Sequence, residues 1–341
     1  MGFVEYKGTK EDKEETKKTE KRKKREKKAT QAGNKKPGKL NFAKHQSFYF
    51  REGWLRKGML HIEEDPNFFL KNDASEILGL GINMVKSLRY WMVATGLATE
   101  TKSKGKMIQE KTLIGEMIYD KDPYFELDGT LWVIHTQLCS NYEQAPTWYW
   151  FFNKYAKALF DREDFIFNLD SWALAEGKKV AQNSLKRDFE CFVRTYLFLD
   201  FERTPEDIMV CPLGNLGLLE RVGQSEESAL SKNRKVYRFL RPDIKNIDPL
   251  ILGWALIKWR NENREGINEI SIFEALREDC SPGRLFNLSV AGLLELISRL
   301  NEEHPDIGFK IIRTHGLDLI QVPDIRESIY LERYYEMEGL D

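Results

Sequence analysis

The chain has 341 residues, 41% of them hydrophobic and 12% aromatic, enough for about two domains and at least one sizeable core. Its net charge of −1 hides an asymmetry: residues 1–40 carry 15 Lys+Arg against 7 Asp+Glu, and the rest carry 38 against 47. No stretch reaches the ~18–20 apolar residues of a membrane helix. The first residues lack the apolar core of a signal peptide, and Cys139, Cys191, Cys211 and Cys280 contain no CxxC spacing. Together these exclude a membrane span, a disulfide scaffold and a structural zinc site, and point to a reducing cytoplasm.

Residues 9–39 are dense in Lys and Glu and nearly free of apolar side chains. Such a segment buries too little surface to offset its ordering entropy, so a disordered basic arm is expected over 1–40. The run Lys21 to Lys28, broken only by Glu26, fits a tether to nucleic-acid phosphates. It fits a solvated linker or solubility tail equally well.

The folded body begins near Leu40. An extended piece and a short helix are expected over Asn41–Leu60, where aromatics alternate with His45, Arg51, Arg56 and Lys57. Next, Asp73 with Glu76 three residues on has the spacing of an N-terminal cap ahead of Ile77 and Leu78. Gly79-Leu80-Gly81 makes a turn, and a longer helix runs from Ile82 to Thr95, closed by Gly96. Val85, Leu88 and Met92 recur at helical spacing and face the core. Asn83, Lys86, Ser87 and Tyr90 form the opposite stripe, flanked by Arg89. A basic loop containing Lys102, Lys104 and Lys106 follows, between two segments that contain apolar residues. Helix, glycine turn, helix and basic hairpin are the parts of a winged helix, and the stripe residues are types that contact bases and phosphates. These residues, with Arg51, Arg56 and Lys57, are the candidate DNA contacts. A winged helix used for packing or protein binding has the same parts.

Leu131-Trp132-Val133-Ile134-His135 and Trp148-Tyr149-Trp150-Phe151-Phe152 follow. Aromatics serve as stacking platforms in single-strand binders, but consecutive ones must mostly point into protein, so core packing is the better reading. His135 reads as a core histidine. Ser184–Leu199 is expected to be an amphipathic helix with Leu185, Phe189, Phe192, Val193 and Tyr196 on one side. Gly214–Asn233 reads as a connector, followed by basic residues that include Lys235, Arg238 and Arg241.

Ser271 and Glu274 form a capping box, Cys280–Gly283 a turn, and Ser289 caps a helix whose core side is Val290, Leu293, Leu294, Ile297 and Leu300. Strands are expected over Gly308–Arg313 and Leu317–Val322. This repeats the order of the first unit, but Glu295 and Glu302 on its polar stripe, against a single Arg299, would repel phosphates. It reads as an architectural or partner-binding unit.

The expected fold class is mainly α with small β-hairpins (α+β). Two winged-helix-like units, 41–140 and 246–341, flank a helical aromatic-rich middle at 141–245.

The sequence contains no GxxxxGK[ST], GxSxG or HExxH motif. Asp170, Glu176 and Lys178 have the order of a metal-nuclease triplet, an order expected by chance among 54 acidic residues. His45 with Arg51 is a conceivable acid–base and phosphate pair, although a structural histidine at the domain entrance is the better reading. No catalytic residue and no cofactor is evident, and Mg²⁺ enters only if the protein is a nuclease.

Three strings carry a family resemblance: His45 to Gly58 (HQSFYFREGWLRKG), Asn83 to Trp91 (NMVKSLRYW) and Ala145 to Asn153 (APTWYWFFN). From about Asn41 onward the chain resembles an uncharacterised-domain family of bacterial DNA phosphorothioation and antiphage islands, the family that includes the nicking component of a single-strand phosphorothioation system. The resemblance implies a DNA-binding protein that nicks DNA to allow sulfur incorporation. It would work beside a cysteine desulfurase, an ATP pyrophosphatase-like sulfur-transfer enzyme and an ATPase. No catalytic residue is carried over. An adaptor that binds these partner proteins, or a transcriptional repressor, are the alternatives.

Overall fold

The computed structural model describes residues 39–103, 105–197, 210–222, 235–314 and 317–339. The basic arm before residue 39, Lys104, most of the connector after Val222, and His315 with Gly316 lie outside the described residues. The architecture is α+β: helices pack around a continuous apolar core that runs from Phe50 to Tyr335, with three small antiparallel sheets at its margins.

The N-terminal third opens with α1 (Trp54–Glu64), which buries Trp54, Leu55, Met59 and Ile62. Gly58 lets α1 approach its neighbour, since a Cβ there would stand 2.6 Å from Met92 Sδ. The short α2 (Ala74–Leu78) ends at Gly79 in the left-handed conformation, φ 64°, as a tight turn requires. The longer α3 (Ile82–Ala94) buries Val85, Leu88 and Met92, the spacing read from the sequence, and is closed by Gly96 at φ 70°. Asp73 occupies the N-cap position of α2, but its side chain makes no capping hydrogen bond. The turn is held instead by Ser75, whose hydroxyl donates to the Leu80 carbonyl and whose carbonyl accepts from Leu80 N–H.

A two-stranded hairpin follows, β1 (Ala98–Ser103) with β2 (Lys106–Lys111), in register from Ala98↔Lys111 to Ser103↔Lys106. Its two-residue loop includes Gly105 at φ 82°, the sign that tight hairpin loops demand. Thr112 then caps α4 (Leu113–Lys121) by accepting from Gly115 N–H at 2.9 Å.

The middle is built on α5 (Asp128–Ser140) and α6 (Pro146–Asn153), where Pro146 sits at the permitted first turn. Trp132, Trp148, Trp150, Phe151 and Phe152 are buried, as consecutive aromatics on a helix must be. His135 is buried with them: Nδ1 pairs with the Tyr196 hydroxyl at 2.8 Å and Nε2 with the Leu285 carbonyl at 3.0 Å. Burial lowers its pKa to about 4, so the ring is neutral. Next come β3 (Leu159–Asp161), α7 (Arg162–Ala175) and α8 (Gln182–Tyr196), whose apolar side is the expected Leu185, Phe189, Phe192, Val193 and Tyr196. The expected connector contains structure: Pro212–Leu216 is a 3₁₀ turn, and β4 (Leu219–Val222) joins β5 (Val236–Phe239) and β3 in the order β3-β5-β4. Short strands with no strict alternation carry little period-two signal, so this sheet is hidden in the sequence.

The C-terminal part begins with α9 (Pro249–Asn263), apolar on all sides as far as Ile257 because that part is packed on all sides. Asp248 caps it, accepting from Leu250 N–H at 2.7 Å. Then come β6 (Glu269–Ser271), α10 (Ile272–Arg277), α11 (Pro282–Leu285), α12 (Val290–Glu303), β7 (Lys310–Thr314), β8 (Leu317–Gln321) and α13 (Ser328–Glu338). The expected hairpin is thus one part of a three-stranded sheet, β6-β8-β7. Ser271 and Glu274 form a reciprocal capping box, and Ser289 caps α12. Val290 does not join the core: it is 52% exposed, and Leu296 takes the inward position one and a half turns on.

Candidate nucleic-acid interface

The helix α3 carries the candidate stripe, and the structure divides it. Asn83 and Lys86 are exposed. Ser87 is fully buried, with its hydroxyl donating to the Phe48 carbonyl at 3.2 Å, so it cannot contact a ligand on the surface. The reason is tertiary: the segment over residues 41–50, which is turned over 43–47 where an extended piece was expected, lies against this side of α3, and Trp91 Nε1 donates to the same Phe48 carbonyl at 2.9 Å. Tyr90 is half-buried under that segment, 6.1 Å from the His45 ring, and burial pushes its hydroxyl pKa well up.

Arg89 has a carboxylate partner. Its Nε donates to Glu100 Oε2 at 2.8 Å, and the buried Gln109 Nε2 joins by donating to the Arg89 carbonyl at 2.9 Å and to Glu100 Oε2 at 3.2 Å. This cluster ties α3 to both strands of the hairpin. Lys111, at the base of β2, is buried against Tyr119 and pairs with Glu63 at 2.8 Å. Lys102 and Lys106, nearer the hairpin tip, are exposed, and like Lys86 they have no ion-pair partner among the described residues. The hairpin is therefore charge-neutralised at its base and basic at its tip.

The helix α1 adds two cations, Arg56 and Lys57, and the turn before it adds Arg51. Lys57 is exposed and directs its Nζ to the Leu78 carbonyl at 3.5 Å, at the end of α2. Arg56 stacks 4.5 Å over the Tyr124 ring, and Arg51 lies against Tyr49 and Trp54 at 5.8 and 5.7 Å. Beside the turn, Ile77 and Ile82 are 49% and 66% exposed, an apolar component that Leu70 extends.

His45 is a structural residue. Its Nε2 meets Asp188 Oδ1 at 2.6 Å, and its Nδ1 accepts from Ser47 N–H at 3.1 Å, so both ring nitrogens are engaged. Asp188 also accepts from Ala43 N–H and from the Thr147 hydroxyl, each at 2.9 Å. This buried carboxylate fixes a segment in which Ala43, Gln46 and Ser47 all take positive φ. Sequence reasoning passed over Asp188; the available signal was a lone acid between Leu185 and Phe189 on the apolar side of α8. Asp170 and Glu176 take unrelated partners, Gln182 and Tyr142. Among the described residues, no group of three or more His, Cys, Asp or Glu side chains is placed to hold a metal ion. No helix among them is long and apolar enough to cross a membrane.

The fold is thus an α+β scaffold that presents a hairpin with exposed lysines beside the exposed side of α3. The chain belongs to a family described as protein of unknown function DUF4007, whose sequence profile matches residues 42–335. It is similar to the crystal structure of magnesium ion-bound SspB, with TM-score 0.77 and 26% identity over 87% of this chain and 88% of that one. A second SspB crystal structure gives the same TM-score and coverage at 25% identity. No curated protein matches the chain significantly.

Proposed function

We propose that α2, α3 and the β1–β2 hairpin form a winged helix that binds DNA, in a protein that acts with a bacterial DNA phosphorothioation system against phage. The observation that carries this reading is the set of exposed lysines without carboxylate partners among the described residues: Lys86 on α3, and Lys102 and Lys106 on the hairpin. A phosphate backbone supplies what the fold withholds from them, and its counterions are released on binding. Asn83 lies on the same exposed side of α3, placed for a base edge. Lys104 joins them by its place in the sequence. Arg51, Arg56 and Lys57 widen the basic margin, while Arg89 and Tyr90 hold the helix and hairpin in position.

The likeness to SspB supports the defence setting and the partners that go with it: a desulfurase, an ATP pyrophosphatase-like enzyme and an ATPase in the cytoplasm. In this reading residues 41–140 bind DNA, 141–245 are the core, 246–341 form a second winged-helix-like unit facing partner proteins, and the basic run within residues 1–40 is a tether to phosphates. Nicking with Mg²⁺ is the activity proposed for the bound state.

The test is a gel shift at two salt concentrations, with a plasmid-nicking assay alongside, on the whole chain and on a chain lacking the first 40 residues. Affinity should fall steeply with salt and survive removal of the arm. Binding carried wholly by the arm would refute the winged-helix assignment. Intact supercoiled plasmid across Mg²⁺ and Mn²⁺ would remove the nicking claim and leave DNA binding standing. The exposed Leu70, Ile77 and Ile82 favour a second reading, a protein-docking adaptor. Capture of the ATPase or sulfur-transfer partner, without measurable DNA affinity, would select it.

A further inference from the structure

A second site lies in the C-terminal part, away from α3. A cleft of about 470 Å³ opens between the end of α9 and the chain that leads into α13, lined by Arg260, Asn261, Gly266, Asn268, Asp324 and Arg326 among others. That volume is within the range of small-ligand sites. Arg260 is its unusual member. The residue is only 5% exposed, and one guanidinium nitrogen, Nη1, donates to Asn268 Oδ1 at 2.9 Å. Its Nε is buried and has no hydrogen-bond partner among the described residues, and no carboxylate there stands within ion-pair distance. Two other arginines near this end of the fold are paired, Arg264 with Glu274 and Arg333 with Asp306.

Burying a guanidinium without a counter-charge is costly unless something else compensates it. Its position in the last turn of α9 lets it balance the carbonyl end of the helix. An exposed cation does that equally well, so helix balance does not account for the burial. Arg326 brings a second, exposed guanidinium to the same cleft, and paired guanidinium groups favour phosphate oxygens. Asp324 lies at the margin, where its carboxylate would repel a bare anion but would accept from sugar hydroxyls.

We infer that the Arg260–Arg326 cleft binds a phosphate monoester attached to a hydroxyl-bearing sugar, a ligand of nucleoside-monophosphate class. The ligand is either a free mononucleotide or the 5′-phosphorylated end of a strand. This inference stands independently of the lysines of the hairpin.

Isothermal titration of the whole chain with AMP, adenosine, and 5′-phosphorylated and 5′-hydroxyl oligonucleotides tests it. AMP should bind and adenosine should not. Arg326→Ala should weaken AMP by about tenfold or more, as expected for losing a charge-assisted hydrogen bond, and Arg260→Lys should weaken it without unfolding the protein. Preference for the 5′-phosphorylated over the 5′-hydroxyl oligonucleotide, lost in Arg326→Ala, would identify strand ends as the source, and AMP binding without that preference would identify free nucleotides; either supports the site. No binding of any phosphorylated probe by the folded wild-type chain would overturn it. So would an affinity unchanged by Arg326→Ala and Arg260→Lys alike.

Discussion

The two helix–helix–hairpin regions of this molecule share an order of elements and differ in what fixes them. In the C-terminal region the starts of α10, α11 and α12 are locally capped: Ser271, Ser281 and Ser289 accept from their backbone N–H groups. In the N-terminal region α2 and α3 have no side-chain cap, and their placement depends on distant groups. Ser87 and Trp91 bind the Phe48 carbonyl, and Asp188 on α8 clamps the segment around His45. Charge differs as well. The α12 stripe shows Glu295 and Glu302, and its Arg299 is spent on the Ile244 and Ile247 carbonyls and on Glu303. The α3 side shows Lys86 and the hairpin lysines. Shared topology therefore does not imply shared use: the locally determined unit suits a scaffold, and the unit held by long-range contacts offers the exposed lysines of α3 and the hairpin.

The comparison breaks or sharpens under substitution. The largest effect is expected from Asp188→Ala, which strands His45, Thr147 and the Ala43 N–H together. A loss of roughly 3–5 kcal/mol is expected, read as a shift in the urea midpoint, with the His45 segment losing hydrogen-exchange protection first. A loss below 1 kcal/mol would show that the N-terminal unit does not rely on α8.

Alanine at Lys86, Lys102, Lys104 and Lys106 together should weaken DNA binding about a hundredfold at moderate salt and lower the salt slope by about 3 to 4. Glu295→Gln with Glu302→Gln should change affinity less than about twofold. Equal effects in the two units would erase the distinction between them.

Proton linkage separates the middle from the C-terminal unit. His135 has its pKa lowered to about 4 by burial, so the stability it contributes is present above the unfolded value near 6.5 and is lost as pH falls towards 4. Asp248 has its pKa raised to about 6, first by burial and then by Glu303 and Glu338, against the Leu250 hydrogen bond. Its sign is opposite: the ionised form costs stability, increasingly as pH rises from near 4 through 6. Asp248→Asn keeps a capping acceptor and should stabilise the protein by about 1–2 kcal/mol at pH 7. It should also steepen the loss of stability between pH 6.5 and 4.5, because the opposing group is gone. Parallel pH profiles for wild type and variant would contradict this assignment.

Smaller effects test the caps and the divided stripe. Ser289→Ala should cost about 1 kcal/mol. Ser87→Ala should cost about 0.5–1 kcal/mol of stability while leaving DNA affinity within about twofold. A tenfold loss of affinity there would return Ser87 to the binding surface.

Local pattern was legible in the chain. Apolar spacing gave α3, α8 and α12, glycines gave the turns at Gly79 and Gly96, and Ser271 with Glu274 gave a helix start, because these signals act over three or four residues. The α+β class followed from these patterns, and the family resemblance from the strings His45–Gly58, Asn83–Trp91 and Ala145–Asn153. Only tertiary structure decided which polar residues remain available. Ser87, Lys86 and Arg89 are neighbours of similar sequence character, yet one is sealed beneath Phe48, one is exposed, and one is neutralised by Glu100. Burial and pairing are set by segments far away in the chain, as are the Asp188 clamp across 143 residues and the buried cation Arg260, and no local period encodes them.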